Sequence, residues 1–315
     1  MDSEIRKHYF LEKYVIIAPK RAKRPHSAKR QENVINKALL KDKNKVEQCF
    51  FCPELVEKKL EVCQTPKNSK LNWDVKVIEN KFPALTLKNK KAYGKQEIVI
   101  DTPNHEKEIH ELSIKHITKV IDIYISRFKD LSLFEGIKYV LVFKNEGGKA
   151  GASVPHSHSQ IIALPVIPPM IEEETIAASR YTIEHDSCPY CDIIEGEKKS
   201  PRVAWEDKNF FVLCPFASES PYGAWFIPKR HITSICDMNE GEKLSLAKSL
   251  KKILKKVDDL DMSYNYFFHN TINHENHHMI LKLAPRPNIW AGLELGTGII
   301  INPTTPETAA KFYRS

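Results

Sequence analysis

Cys49-Phe-Phe-Cys52 is echoed further along the chain by Cys188-Pro-Tyr-Cys191, and the segments after each pair run in the same order. After Cys52 come two strand-like runs, Asp74 to Ile78 and Glu97 to Ile100, then a loop ending at His105. After Cys191 come Val203-Ala-Trp, Phe210-Phe-Val-Leu and Gly223-Ala-Trp-Phe-Ile-Pro, ending at His231. Each copy continues into apolar residues at helical spacing: Ile114, Ile117, Val120, Ile121, Tyr124 and Phe128, then Leu246, Leu250, Ile253, Leu254 and Val257. Each helix leads to an aromatic strand, Tyr139 to Asn145 and Tyr264 to Asn270, matched from their first tyrosines. A histidine-bearing segment comes next in both, His156-Ser-His158 in one and His277-His278 in the other. An ordered repeat of this kind predicts a duplicated α+β unit, antiparallel strands with helices packed on them. The predicted domains are 1–170 and 171–315, joined within the Pro- and Glu-rich stretch from Pro165 to Ser187.

A chain of 315 residues suits two domains and a substantial core. With 42% hydrophobic and 28% charged residues it reads as globular, not disordered. Its net charge of +8 is spread along the chain, which suits anionic ligands. The start has no apolar signal segment, and the run from Ile161 to Ile171 is broken by three prolines and too short to span a bilayer. These features predict a cytoplasmic protein without a membrane partner. Seven cysteines, four of them in C-x-x-C pairs, point away from a disulfide framework and toward metal or redox chemistry.

A C-x-x-C turn offers two thiolates to a tetrahedral zinc, which then needs two more ligands. In the first copy His105 and one histidine of the His156/His158 pair are the candidates; in the second, His231 with His277 or His278. Either pair taken alone is equally a chance pair or a redox motif; the matched histidines in both copies favour metal. Their separation, far beyond the usual gap, argues against one zinc ribbon using both pairs. Cys63, Cys214 and Cys236 read as ordinary core or surface thiols.

The most informative stretch is Asn145-Glu-Gly-Gly-Lys-Ala-Gly-Ala-Ser-Val-Pro-His-Ser-His-Ser-Gln160. Its clustered glycines let backbone N–H groups approach a phosphate. In an extended strand His156, His158 and Gln160 share a face. One imidazole can then hold metal while its neighbour stays free to attack phosphorus and Gln160 donates to a phosphate oxygen. The plainer alternative is that all three residues bind metal. The second copy has Ile280 where His158 would fall and Lys282 where Gln160 would fall, so it keeps a metal ligand and lacks a nucleophile.

These residues resemble the galactose-1-phosphate uridylyltransferase family, a branch of the histidine triad superfamily, over nearly the whole chain. The resemblance rests on Arg21-Ala-Lys-Arg24-Pro, Cys49-Phe-Phe-Cys52-Pro, Asn80-Lys-Phe82-Pro83, Thr102-Pro-Asn-His105, Gly151-Ala-Ser153 with His156, His158 and Gln160, Gly292-Leu-Glu294 and Pro306-Glu-Thr-Ala-Ala. It implies two histidine-triad-like units and a double displacement in which His158 carries a nucleotide from a nucleotide sugar to a sugar 1-phosphate. Cys49, Cys52, His105 and His156 are implied as one zinc site. Cys188, Cys191, His231 and His278 are implied as a second, holding zinc or iron. The implied nucleoside pocket is Asn80, Phe82 and Pro83, the phosphate cradle Asn145, Gly151, Ala152 and Ser153, and the hexose contact Glu294. Arg21 and Arg24 are implied at a homodimer interface that reaches the nucleotide sugar. Read alone, that basic segment is also a solvated charge run or a nucleic-acid patch, and the absence of interleaved aromatics lowers the latter.

Two departures stand out. The family's best-known form has Pro and Gly where this chain has Ser157 and Ser159, whose hydroxyls can hydrogen-bond phosphate. After Glu294 the usual Gln-Arg-Asp is absent. Both features look like the ADP-glucose phosphorylases, which pass AMP to phosphate, so adenylyl transfer stands beside uridylyl transfer. From a different class, a zinc-stabilised nucleotide- or nucleic-acid-binding module without turnover is the remaining alternative.

Overall fold

A computed structural model describes residues 2–23, 49–66, 72–271, 277–287 and 289–315. Five strands make the first half: β3 (Glu61–Thr65), β4 (Val75–Glu79), β5 (Lys95–Ile100), β6 (Tyr139–Glu146) and β7 (His158–Leu164), with helix α1 (Ile114–Ser132) between β5 and β6. The second half opens with α2 (Pro169–His185) and α3 (Pro189–Glu197). It then repeats the pattern with β8 (Val203–Glu206), β9 (Phe210–Leu213), β10 (Ala224–Pro228), α4 (Glu240–Asp259), β11 (Tyr264–His269) and β12 (Ile280–Pro285). The expected join at Pro165 to Ser187 is thus largely helix α2.

The two halves share one antiparallel sheet of ten strands, ordered β3-β4-β5-β7-β6-β11-β12-β10-β9-β8. They meet where β6 pairs with β11, and Phe143 lies directly opposite Phe267. Phe143 also pairs with Gln160 on β7, and Phe267 with Lys282 on β12. The two phenylalanines are therefore equivalent positions, related by a pseudo-twofold axis through their contact. This corrects the register expected from the sequence. Matching Tyr139 with Tyr264 is off by one residue, and in a strand a one-residue slip exchanges the two faces. Tyr264, Tyr266 and Phe268 point to the helix-covered core, as do Val140 and Val142, whereas Tyr139 is absent from that core.

Both central helices lie on that one face. Each starts at a side-chain cap, Ser113 accepting from the His116 amide and Asn239 from the Glu242 amide, which satisfies donors the first helical turn leaves free. Ile117, Val120, Tyr124 and Phe128 of α1 and Leu246, Leu250, Ile253 and Leu254 of α4 fill one continuous core over the sheet. Full burial of such side chains contributes about 1.5–3 kcal/mol each.

A small sheet holds the chain's two ends together. β1 (Glu4–Lys7) runs antiparallel to β2 (Tyr14–Ile17), and β13 (Ile300–Asn302) lies parallel to β2. Short helix α5 (Gly292–Thr297) precedes β13, and α6 (Pro306–Arg314) comes after it. Among the described residues no helix is long and apolar enough to cross a membrane.

Candidate active site

Strand alternation sends Ser157, Ser159 and Ile161 toward the helices and His156, His158 and Gln160 to the opposite face. Cys49 and Cys52 lie under that face in a tight turn closed by the Cys52 amide on the Cys49 carbonyl. His156 Nδ1 is 3.6 Å from Cys49 Sγ and 3.7 Å from Cys52 Sγ, and His105 Nδ1 is 3.5 Å from Cys52 Sγ. Zinc bonds of about 2.3 Å to sulfur and 2.0 Å to nitrogen give a tetrahedron whose S–N edge is about 3.5 Å, so these three pairs already stand at coordination spacing. His156 Nε2 donates to the Thr102 carbonyl at 2.7 Å, which turns Nδ1 toward the cysteines.

The second half repeats the arrangement. His278 Nδ1 is 3.6 Å from both Cys188 Sγ and Cys191 Sγ, and His231 Nδ1 is 3.8 Å from Cys191 Sγ. His278 Nε2 faces the Pro228 carbonyl at 2.9 Å, the counterpart of the His156–Thr102 contact. In each cluster the four candidate ligand atoms lie within 4.8 Å of one another, and each could hold a metal ion. Of the two histidines left open by the sequence, His278 joins the cluster and the buried His277 does not.

His158 is not drawn into the first cluster. Its Nδ1 lies 2.8 Å from the His156 carbonyl, which only accepts, so Nδ1 carries the proton and Nε2 keeps its lone pair. Burial, reinforced by the charge of Lys144, holds the imidazole below its ordinary pKa and therefore neutral. The Phe51 ring packs 5.1 Å from the imidazole and limits its movement.

Beneath the strand lies a buried polar network. Lys144 Nζ donates to Asp101 Oδ2 at 3.0 Å, to Ser157 Oγ at 2.9 Å and to the His158 carbonyl at 3.2 Å. Burial opposes its charge, yet the carboxylates of Glu108 and Asp101 prevail and raise its pKa. Ser157 donates to Glu108 at 2.9 Å, and Ser159 donates to Asp101 at 3.1 Å while its hydroxyl also meets those of Tyr124 and Tyr266. Ser157 is 1% exposed, on the opposite face from His158. The expectation that its hydroxyl contacts phosphate does not fit this placement. Proline and glycine at 157 and 159 would supply neither anchor.

On the face that carries His158, Gln160 Oε1 accepts from Gln96 Nε2 at 3.1 Å, while Gln96 Oε1 accepts from the Ala84 amide at 3.2 Å. That chain fixes both amides and turns the Gln160 NH2 group away from Gln96. It also ties Gln160 to the loop of Asn80, Phe82 and Pro83, where Asn80 Oδ1 accepts from the Phe82 amide at 2.9 Å and Phe82 is 84% exposed.

The glycine-rich loop comes directly after β6. Gly147, at φ +78, lies so close to Ser263 that a Cβ would come within 2.2 Å of its hydroxyl. The amides of Gly151 and Ala152 close the turn onto the carbonyls of Gly148 and Gly147. Ser153 is exposed beside them. Glu294 caps its own helix by accepting from the Ala291 amide. Its carboxyl is held below the ordinary value by its own and neighbouring backbone N–H groups, with Arg21 within electrostatic reach. Arg24 lies outside the described residues.

A sequence profile described as the galactose-1-phosphate uridyl transferase N-terminal domain matches residues 1–168. The chain belongs to that family. It is accordingly a nucleotidyltransferase in kind. It is 31% identical to an ADP-glucose phosphorylase of Arabidopsis thaliana, over 99% of this chain and 92% of the relative. It is 32% identical to a galactose-1-phosphate uridylyltransferase of Thermotoga maritima, over 77% of this chain and 84% of the relative. The crystal structure of the Arabidopsis ADP-glucose phosphorylase with bound ADP-glucose superposes with a TM-score of 0.86 at 30% identity, over 100% of this chain and 99% of that one. A structure described as a uridylyltransferase superposes at 0.75 with 26% identity, over 99% of this chain and 97% of that one.

In this member of the uridyl transferase family, several residues around the site carried no sequence signal. Lys144 and Asp101 look like ordinary surface charges until the fold buries them, and Glu108 until it is half-buried beside Lys144. Gln96 and Asn265 are single amides in strands, visible only once the register places them beside Gln160 and Asn145.

Proposed function

We propose that the protein transfers a nucleoside monophosphate from a nucleotide sugar to a phosphate-bearing acceptor by double displacement on His158. The observation that carries this reading is the His158–His156 carbonyl hydrogen bond, which leaves Nε2 as a neutral, oriented nucleophile beside Gln160. In the first step Nε2 bonds to the α-phosphorus and the bond from phosphorus to the sugar phosphate oxygen breaks, releasing a sugar 1-phosphate. Nδ1 keeps its proton, and the His156 carbonyl stabilises the positive charge that grows on the ring. Gln160 and Asn145 donate to the non-bridging oxygens. In the second step an acceptor phosphate oxygen attacks, the P–N bond breaks and neutral His158 returns.

We read uridylyl transfer from UDP-glucose to galactose 1-phosphate as the first activity, supported by the family and by the Thermotoga relative. Adenylyl transfer from ADP-glucose to phosphate is the second reading. A specific observation favours it: the likeness to the Arabidopsis ADP-glucose phosphorylase extends over 99% of the chain. Zinc is the ion we assign to both Cys2His2 clusters, since thiolate–imidazole tetrahedra suit it. Bound there, zinc supplies a fixed structural charge. Cys49, Cys52, His105 and His156 hold the start of β7, and with it His158, in place. We also take residues 1–170 and 171–315 as the two functional repeats, and the working form as a cytoplasmic homodimer in which Arg21, Arg24 and Glu294 help to bind the nucleotide sugar.

Intact mass after mixing with UDP-glucose or ADP-glucose, without acceptor, tests this reading. A uridylyl or adenylyl adduct that His158→Ala abolishes is expected, and the nucleotide that remains attached decides between the two activities. Absence of an adduct with either sugar nucleotide overturns the covalent mechanism.

A further inference from the structure

The pseudo-twofold axis allows each position of the catalytic half to be compared with its counterpart. With Phe143 opposite Phe267, Lys282 stands where Gln160 stands and, two residues along each strand, His269 where Asn145 stands and Ile280 where His158 stands. In the first half these positions surround the phosphate of the proposed reaction. In the second half two of them, His269 and Lys282, hold a carboxylate of the same chain, that of Glu174 on α2.

Glu174 is 1% exposed. Its Oε2 accepts from Lys282 Nζ at 2.8 Å and from His269 Nδ1 at 2.9 Å, and its Oε1 accepts from the Tyr190 hydroxyl. Donors from β11, β12 and α3 thus converge on one anion. Burial alone would raise the carboxyl's pKa, yet Lys282 and His269 hold it well below the ordinary range. Burial and Lys282 lower the pKa of His269, and its Nδ1, facing an ionised carboxylate that only accepts, carries the hydrogen of that bond. An ionised carboxylate this deep is costly unless its surroundings are arranged for negative charge.

We propose that the second half retains an oxyanion-binding position, the counterpart of the catalytic phosphate position, and that the carboxylate of Glu174 occupies it in cis. Lys282 and His269 are its recognition groups, and its ligand class is a small carboxylate or phosphate-like oxyanion. With Ile280 in place of a nucleophile and Glu174 in place of a ligand, this position of the second half is closed to nucleotides. The equivalence to a phosphate position rests on the proposed reaction of the first half; the presence of an anion site does not.

Glu174→Ala removes the internal anion and leaves room for formate. Thermal unfolding of the full-length variant in sodium formate is compared with sodium chloride at equal ionic strength, beside wild type and the Glu174→Ala/Lys282→Met double variant. The expected result is a saturable rise in the melting temperature of Glu174→Ala, about 5 °C, that formate produces and chloride does not. Wild type and the double variant are expected to show no such rise. No formate-specific rise, or an equal rise in wild type or in the double variant, overturns the proposal. If Glu174→Ala does not accumulate folded, it is refolded from urea in each salt. Recovery in formate alone supports the site, and recovery in neither salt or in both equally overturns it. None of these readouts involves turnover, so their failure is distinct from the loss of the His158 adduct.

Discussion

Asn265 Nδ2 donates both to the Ala150 carbonyl, at 2.9 Å, and to Asn145 Oδ1, at 2.8 Å. A carbonyl can only accept, so the first contact identifies the Asn265 atom as its NH2 group, and the second then identifies the Asn145 atom as oxygen. Asn145 is therefore held with its own NH2 turned away from Asn265. One half thus orients, in the other, the amide proposed to donate to phosphate.

Asn265→Asp reverses that arrangement. A carboxylate cannot donate to Ala150 and draws the Asn145 amide round to face it. Adduct formation is expected to slow by about 10²-fold, the typical effect of losing one preorganised donor. Metal content and melting temperature are expected to stay near wild type. Rapid-quench mass spectrometry with the preferred sugar nucleotide measures the rate; an unchanged rate would show that Asn145 does not act through its amide.

Lys144 is 1% exposed and supports the start of β7 from behind, through Ser157 and the His158 carbonyl. Lys144→Met leaves Asp101 and Glu108 without their cation and is expected to cost about 3–5 kcal/mol. The double variant Lys144→Met/Asp101→Asn is expected to recover part of that loss, because the carboxylate next to the missing ammonium is removed as well. Urea unfolding of the two single variants and the double variant checks this coupling. Strictly additive losses would mean that the contact is incidental.

The two Cys2His2 clusters differ in exposure. Cys49, Cys52 and His156 are buried, whereas His231 is exposed and Cys188 and Cys191 are half-buried. Chelation is expected to remove metal in two phases, with the Cys188 cluster emptied first. Adduct formation on His158 is expected to survive that phase and to fail in the second, since only the first cluster holds the strand that carries His158. Metal analysis and adduct mass on timed aliquots separate the phases. Cys191→Ser is expected to lose the fast phase and Cys52→Ser the slow one.

Much of this was legible from spacing. The C-x-x-C pairs, their histidines and the apolar spacing of α1 and α4 all report local geometry, and local geometry has a fixed period. The row of His156, His158 and Gln160 came from strand alternation alone. The continuous sheet did not, because β6 and β11 come from distant parts of the chain and no turn signal joins them. The matched tyrosines Tyr139 and Tyr264 misled by a single residue, since an aromatic suits either face of a buried strand. Ser157 shows the same limit in reverse: its hydroxyl suits phosphate chemistry, and only the burial of Lys144 and Asp101 reveals what it binds. His277 and His278 are adjacent and chemically alike, and the pleat alone separates them.

Glu307 connects the two ends of the chain and makes stability depend on pH. Its carboxylate accepts from Arg6 and Arg202, each at 3.0 Å, and both guanidiniums lie over the Phe216 ring. Burial works against its ionisation, but its own helix N–H and the two arginines prevail, so it titrates below its ordinary 4.5. A carboxyl with a depressed folded-state pKa stabilises the fold fully above its unfolded value and loses that contribution as pH falls through the folded value. Glu307→Gln is therefore expected to lower stability at neutral pH by about 1–3 kcal/mol, the range for a hydrogen bond to a charged group. The deficit is expected to hold down to about pH 5 and to shrink only below about 4.5, as the wild-type carboxyl takes up its proton and comes to resemble the amide. Thermal unfolding of both proteins across that range measures it, and a deficit that stayed constant to the acid limit would assign the loss to packing and not to charge.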